Sequence, residues 1–173
     1  MRYLQGTLSY GIKYNKDYES GILEAYSVSD HAGDINDRRS TSGILCLYAG
    51  GAISWASRKQ SSVAISSTEA EIVAASETAP EVVWLKRLFN DITALKEIPI
   101  QKIDNDDSEL SSLSESRFAS EDFAVRHFYA RELVADGKLK VKHANLQSAD
   151  LLTKPLGKPS MLAILDRIGL QCT

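Results

Sequence analysis

Two cysteines in 173 residues, Cys46 and Cys172, are too few and too far apart for a disulfide framework. Neither has the close spacing of a Cys/His metal centre. No apolar run approaches the roughly 18 residues that cross a bilayer, so no membrane partner is expected. Residues 1–20 lack the apolar core of a secretory signal. These absences lead us to expect an intracellular protein, cytoplasmic or nuclear. There is no repeat and no low-complexity linker. A basic excess is also missing, since the net charge is −3. Proteins that bind nucleic acid through phosphate contacts usually carry such an excess. A site built of carboxylates lowers the balance, so the charge excludes little. Basic side chains do cluster locally, at Arg38 and Arg39, at Arg58 and Lys59, and at Lys138, Lys140 and Lys142.

What is present is an ordinary globular composition, 43% hydrophobic and 25% charged, and a length suited to one core. The clearest local signal is Ser66-Ser67-Thr68-Glu69-Ala70-Glu71. Ser66 and Glu69 have the spacing of a capping box, in which the hydroxyl and the carboxylate each satisfy a free amide. A helix is expected from about residue 68 to 91, kinked or divided at Pro80. Glu71 falls on or next to its packed face. It reads either as an acid favoured by the helix dipole or as a site acid.

Strands are expected at 22–29, at 44–49 and from Ala52 to Trp55, with Gly50-Gly51 as a turn. The near-continuous apolar run from Ile44 to Ala49 suits a strand buried on both faces. A fourth strand, 98–103, ends at Asp104. Helices are expected at 108–114 and 121–135. A fifth strand is expected at 139–142, which would align Lys138, Lys140 and Lys142 on one face. Helical segments at 149–153 and 161–168 follow, interrupted by Pro155 and Pro159. Residues 1–14 read as a helix end and a short strand. Three antiparallel strands followed by alternating elements give an α/β fold, a five-stranded mixed sheet flanked by helices. Trp55 and Trp84 are expected in the core.

Asp104 ends a strand, Asp150 opens a helix, and Glu71 lies near a helix start. Acids at element ends can form a carboxylate site for magnesium, which prefers oxygen ligands. Two such ions can activate water for phosphodiester cleavage.

The chain resembles the ribonuclease H domain of copia-type long-terminal-repeat retrotransposon Pol polyproteins. The resemblance rests on an ordered series of blocks. These are Arg2-Tyr3-Leu4-Gln5-Gly6-Thr7, Ala32-Gly33-Asp34, Asp37-Arg38-Arg39-Ser40-Thr41-Ser42-Gly43 and Ile53-Ser54-Trp55. They continue with Ser66 to Glu71, Trp84-Leu85, Arg131-Glu132-Leu133 and Ala149-Asp150-Leu151-Leu152-Thr153-Lys154-Pro155-Leu156. The resemblance implies a ribonuclease H-like fold over residues 16–173, preceded at 1–15 by the tail of a reverse-transcriptase and connection region. It implies cleavage of the RNA strand of RNA–DNA hybrids with magnesium or manganese, in a monomer that partners a reverse transcriptase within a polyprotein. Carried over by motif, the metal-binding acids are Glu71, Asp104 and Asp150. Nucleic-acid contacts are expected from Arg38, Arg39, Lys138, Lys140 and Lys142.

The family's first site acid is missing. Its Ser-Asp-Ala-Asp-Trp-Ala-Gly motif is here Ser27-Val28-Ser29-Asp30-His31-Ala32-Gly33, with valine where the site acid stands. Asp30 is the nearest replacement, but it lies about 6.6 Å along a strand from residue 28. Three readings follow: a domain that folds with impaired or no cleavage, a nuclease using Asp30, or a non-catalytic nucleic-acid-binding or interaction module.

Overall fold

The computed structural model describes residues 7–16, 22–93, 100–105, 128–129, 132–133, 135–136, 141–143 and 148–172, and for 100–105 and 141–143 it gives the backbone path. The strands are β1 (Tyr10–Ile12), β2 (Leu23–Asp30), β3 (Thr41–Tyr48), β4 (Gly51–Lys59), β5 (Ile100–Asn105), β6 (Val141–His143) and β7 (Leu170–Cys172). Helix α1 spans Ser67–Thr93 and α2 spans Lys158–Arg167, with a 3₁₀ helix at Ser148–Leu152. The main sheet has the order β4-β3-β2-β5-β6. β2, β3 and β4 form the expected antiparallel meander. β5 is parallel to β2, and β6 is parallel to β5. The expected helix at 108–114 lies outside the described residues, as does most of the one at 121–135. Lys138 and Lys140 lie outside them too.

β2 sits at the centre of the sheet and is buried on both faces. Leu23 and Ala25 join Cys46, Ala79, Val82 and Leu85 in one cluster beneath α1. Tyr26 and Val28 join Leu45, Leu47, Ala149, Ile164 and Ile168 in a second cluster beneath the C-terminal elements. Such two-sided burial explains why the strands read as apolar runs with little alternation. Arg167 locks α2 to this face by donating to the Tyr26 hydroxyl at 2.9 Å, with its guanidinium 5.0 Å from the ring centroid. Burial, followed by the neighbouring Glu24 carboxylate, pushes the Tyr26 phenol far above its ordinary pKa.

α1 passes through Pro80 as one helix, so of the expected kink or division, the division does not occur. An interior proline costs about 3 kcal/mol. Val82 and Leu85, buried just beyond it, each contribute about 1.5–3 kcal/mol. Their packing against the sheet therefore offsets the break, while Pro80 itself faces outward.

Both tryptophans depart from expectation, with Trp55 58% and Trp84 55% exposed. Trp55, on the edge strand β4, borders a small apolar cleft with Ile12, Leu152 and Leu170. β1 pairs antiparallel with β7, setting Tyr10 opposite Cys172.

Candidate active site at the end of the central strands

Helix α1 begins as its sequence indicates. The Glu69 amide donates to Ser66 Oγ at 3.1 Å. The Glu69 carboxylate reaches one residue further back than a capping box requires, accepting from the Ile65 amide at 2.7 Å. This start aims Glu71 at the sheet. Glu71 is 6% exposed, and its Oε1 accepts the Ser29 amide of β2 at 2.8 Å.

Val28, the residue before Ser29, is fully buried. It stands opposite Gly43 in the β2–β3 register. A Cβ on Gly43 would meet Val28 Cγ1 at 3.1 Å, the Ala149 carbonyl at 2.9 Å and Thr153 Cγ2 at 2.8 Å. Gly43 therefore lets the 3₁₀ helix lie directly on Val28. Asp150 belongs to that helix. Its side chain is part-exposed, and Oδ1 pairs with Lys154 Nζ at 2.9 Å, four residues on. The carbonyl of Asp150 accepts the amides of Thr153 and Lys154, which closes the turn.

Asp104 stands on β5 opposite Tyr26, two residues back from Val28 along β2, and opposite Lys142 on β6. The fold thus brings the backbones of 28, 104 and 150 and the side chain of Glu71 to neighbouring positions around β2.

Asp30 is occupied elsewhere. Its Oδ1 accepts the Thr41 amide at 2.8 Å, across the mouth of the loop joining β2 to β3. The carboxylate lies so close to Gly33 that a Cβ there would collide with it. Asp30 therefore closes the loop. Ala32 and Arg38 hold left-handed backbone conformations in that loop, with φ of 55° and 57°. Arg38 is exposed, and Arg39 pairs with Asp37 at 3.6 Å. Lys59 of β4 binds both Asp34 and Asp37. Hydrogen bonding to Lys59 is the main reason both carboxyls titrate below the usual range, and the same contacts raise Lys59.

Val28 offers no oxygen, Asp30 Oδ1 accepts a loop amide, and Asp150 Oδ1 lies 2.9 Å from Lys154 Nζ. No three Asp, Glu, His or Cys side chains converge among the described residues. The Asp150–Lys154 pair was readable from its four-residue spacing. The Ser29 amide as partner of Glu71 has no sequence signal, and neither has the buried Gln60 beside it.

No family model matches the chain. It is 35% identical to the retrovirus-related Pol polyprotein from transposon TNT 1-94 of Nicotiana tabacum, over 98% of this chain and 13% of that protein. It is 34% identical to the corresponding polyprotein from transposon RE1 of Arabidopsis thaliana, over 98% of this chain and 12% of that protein. The chain thus spans about an eighth of the length of these curated polyproteins. A third relative, secreted RxLR effector protein 161 of Plasmopara viticola, is 48% identical over 49% of this chain and 59% of its own length. Among solved structures, LC11-RNase H1 superposes with a TM-score of 0.53 at 11% identity, covering 77% of this chain and 93% of that one. The N-terminal ribonuclease H domain of Rv2228c from Mycobacterium tuberculosis gives 0.50 at 11% identity, covering 82% and 96%. Among the described residues, no helix is long and apolar enough to cross a membrane.

Proposed function

We propose that this chain, which has a ribonuclease H-like fold and matches copia-type retrovirus-related Pol polyproteins over 98% of its own length, is a domain of that origin with impaired or lost hydrolysis of RNA in RNA–DNA hybrids. The observation that carries this reading is Val28. It is fully buried at the central strand position where the resemblance calls for the first site acid, and it is packed into an apolar cluster with Ala149 and Ile164. Glu71, Asp104 and Asp150 are then the inherited remainder of a magnesium or manganese site. The engagement of Asp30 with the Thr41 amide argues against its serving as the substitute acid. In this reading residues 1–15 derive from the preceding reverse-transcriptase and connection region.

The test is an RNA–DNA hybrid cleavage assay in magnesium and in manganese, on the unmodified protein, Val28→Asp and Glu71→Gln. The unmodified protein is expected to cleave no faster than Glu71→Gln. Robust cleavage by the unmodified protein overturns the reading.

A second reading, a module that binds nucleic acid without cutting it, is favoured by Arg38, which is exposed on the loop beside the site, with Arg39 next to it. Binding through these residues and the lysines at 138, 140 and 142 would weaken steeply with salt. Hybrid affinity that is absent or independent of salt counts against it.

A further inference from the structure

Gln60 follows β4 in a polar run, Arg58-Lys59-Gln60-Ser61-Ser62, in which the other four residues are exposed. Gln60 alone of the five is buried, at 1% exposure. A buried primary amide is costly unless its hydrogen bonds are made. The Gln60 amide N–H donates to the Ser40 carbonyl at 2.9 Å, continuing the β3–β4 ladder by one step. Its side chain turns inward. Nε2 donates to Ser42 Oγ on β3 at 3.0 Å and to the Ala70 carbonyl on α1 at 2.9 Å.

Ala70 immediately precedes Glu71. Ser42 stands opposite Ser29, whose amide donates to Glu71. The contacts therefore close a ring. From Ser29 it passes to Ser42 across the sheet, through the Gln60 amide to Ala70, along one peptide to Glu71, and back to Ser29. We propose that Gln60 is a positioning residue, which sets the height of the first turns of α1 above β2 and β3 and thereby holds the Glu71 carboxylate against the Ser29 amide. Its functional meaning rests on Glu71 as an inherited site acid; the ring itself does not.

The alternative is that Gln60 only stabilises the junction of β4 with α1. That role would lower the melting temperature and leave Glu71 in place. The test is NMR on the full chain, following the Ser29 amide and the Glu71 side-chain carboxyl in the protein, Gln60→Leu and Gln60→Asn. Leucine keeps the bulk and removes both donors. Asparagine keeps the amide on a shorter arm and guards against failure of the leucine variant to fold. In both variants the Ser29 amide is expected to shift and to exchange at least about tenfold faster, and the Glu71 carboxyl carbon resonance at neutral pH to move. Amides of the β1–β7 pair are expected to stay as they are. A Ser29 amide whose shift and exchange are unchanged in either folded variant, whatever the loss of melting temperature, overturns the proposal. None of these readouts involves cleavage, so an active or an inactive enzyme leaves the outcome unaffected.

Discussion

Val28 faces Gly43 across β2 and β3, and the missing Cβ at 43 is what allows Thr153 and the Ala149 carbonyl to close over the valine. The position that the resemblance reserves for an acid is therefore a sealed apolar contact. Val28→Asp is expected to destabilise the protein by about 3–5 kcal/mol at neutral pH, the usual cost of an uncompensated buried charge. Burial would raise the pKa of the introduced carboxyl above its unfolded value near 3.9. The penalty should therefore grow as pH rises above about 4 and shrink below it. Urea unfolding of both proteins at pH 4 and pH 7 measures this. Equal differences at the two pH values would show that the site admits water.

Asp30 should behave as a loop clasp. Asp30→Ala leaves the Thr41 amide without its acceptor, at an expected cost of about 1–3 kcal/mol. Asp30→Asn keeps an acceptor oxygen and should lose less than half as much. Amide exchange at Thr41, read beside urea unfolding, separates a local opening of the loop from global loss.

Lys59 ties Asp34 to Asp37 on the loop between β2 and β3. The two carboxyls have depressed pKa values when folded. Their contribution is thus present above the unfolded carboxylate pKa of about 3.9 and fades as pH falls through the lower folded values. Lys59 is raised, so its contribution persists up to the unfolded lysine pKa near 10.4 and fades above it. The melting-temperature difference between the protein and Lys59→Met should be flat at neutral pH and should vanish at both extremes. High salt should shrink it throughout.

The two thiols should differ sharply in reactivity. Burial, with a smaller effect from Glu81, pushes Cys46 up to about 12, while Cys172 is exposed. Thiolate is the reactive form. A colorimetric disulfide reagent at neutral pH should therefore titrate one thiol per native chain, lost in Cys172→Ser, and two in denaturant.

The parts of the fold that were legible in the sequence were those written in adjacent residues. The run from Ile44 to Ala49 and the Gly50-Gly51 turn indicated the meander, and Ser66 with Glu69 indicated the start of α1. What escaped depends on distant partners. Pro80 could not divide α1 because Val82 and Leu85 pack on a sheet formed by other segments. Trp55 lies on an edge strand, and nothing in its neighbouring residues records which strand is an edge. Gln60 sits among exposed polar residues, and its burial follows from Ser42 and Ala70, 18 and 10 positions away. At the site, sequence located the valine at 28. Only the structure showed that Asp30 already has the Thr41 amide as its partner.

The pairing of Tyr10 with Cys172 sets the start of the first strand beside the end of the last. Because the strands run antiparallel, a polypeptide enters and leaves the fold at one corner. Pulling on its two ends would load the β1–β7 bonds first, before any force reached the central sheet.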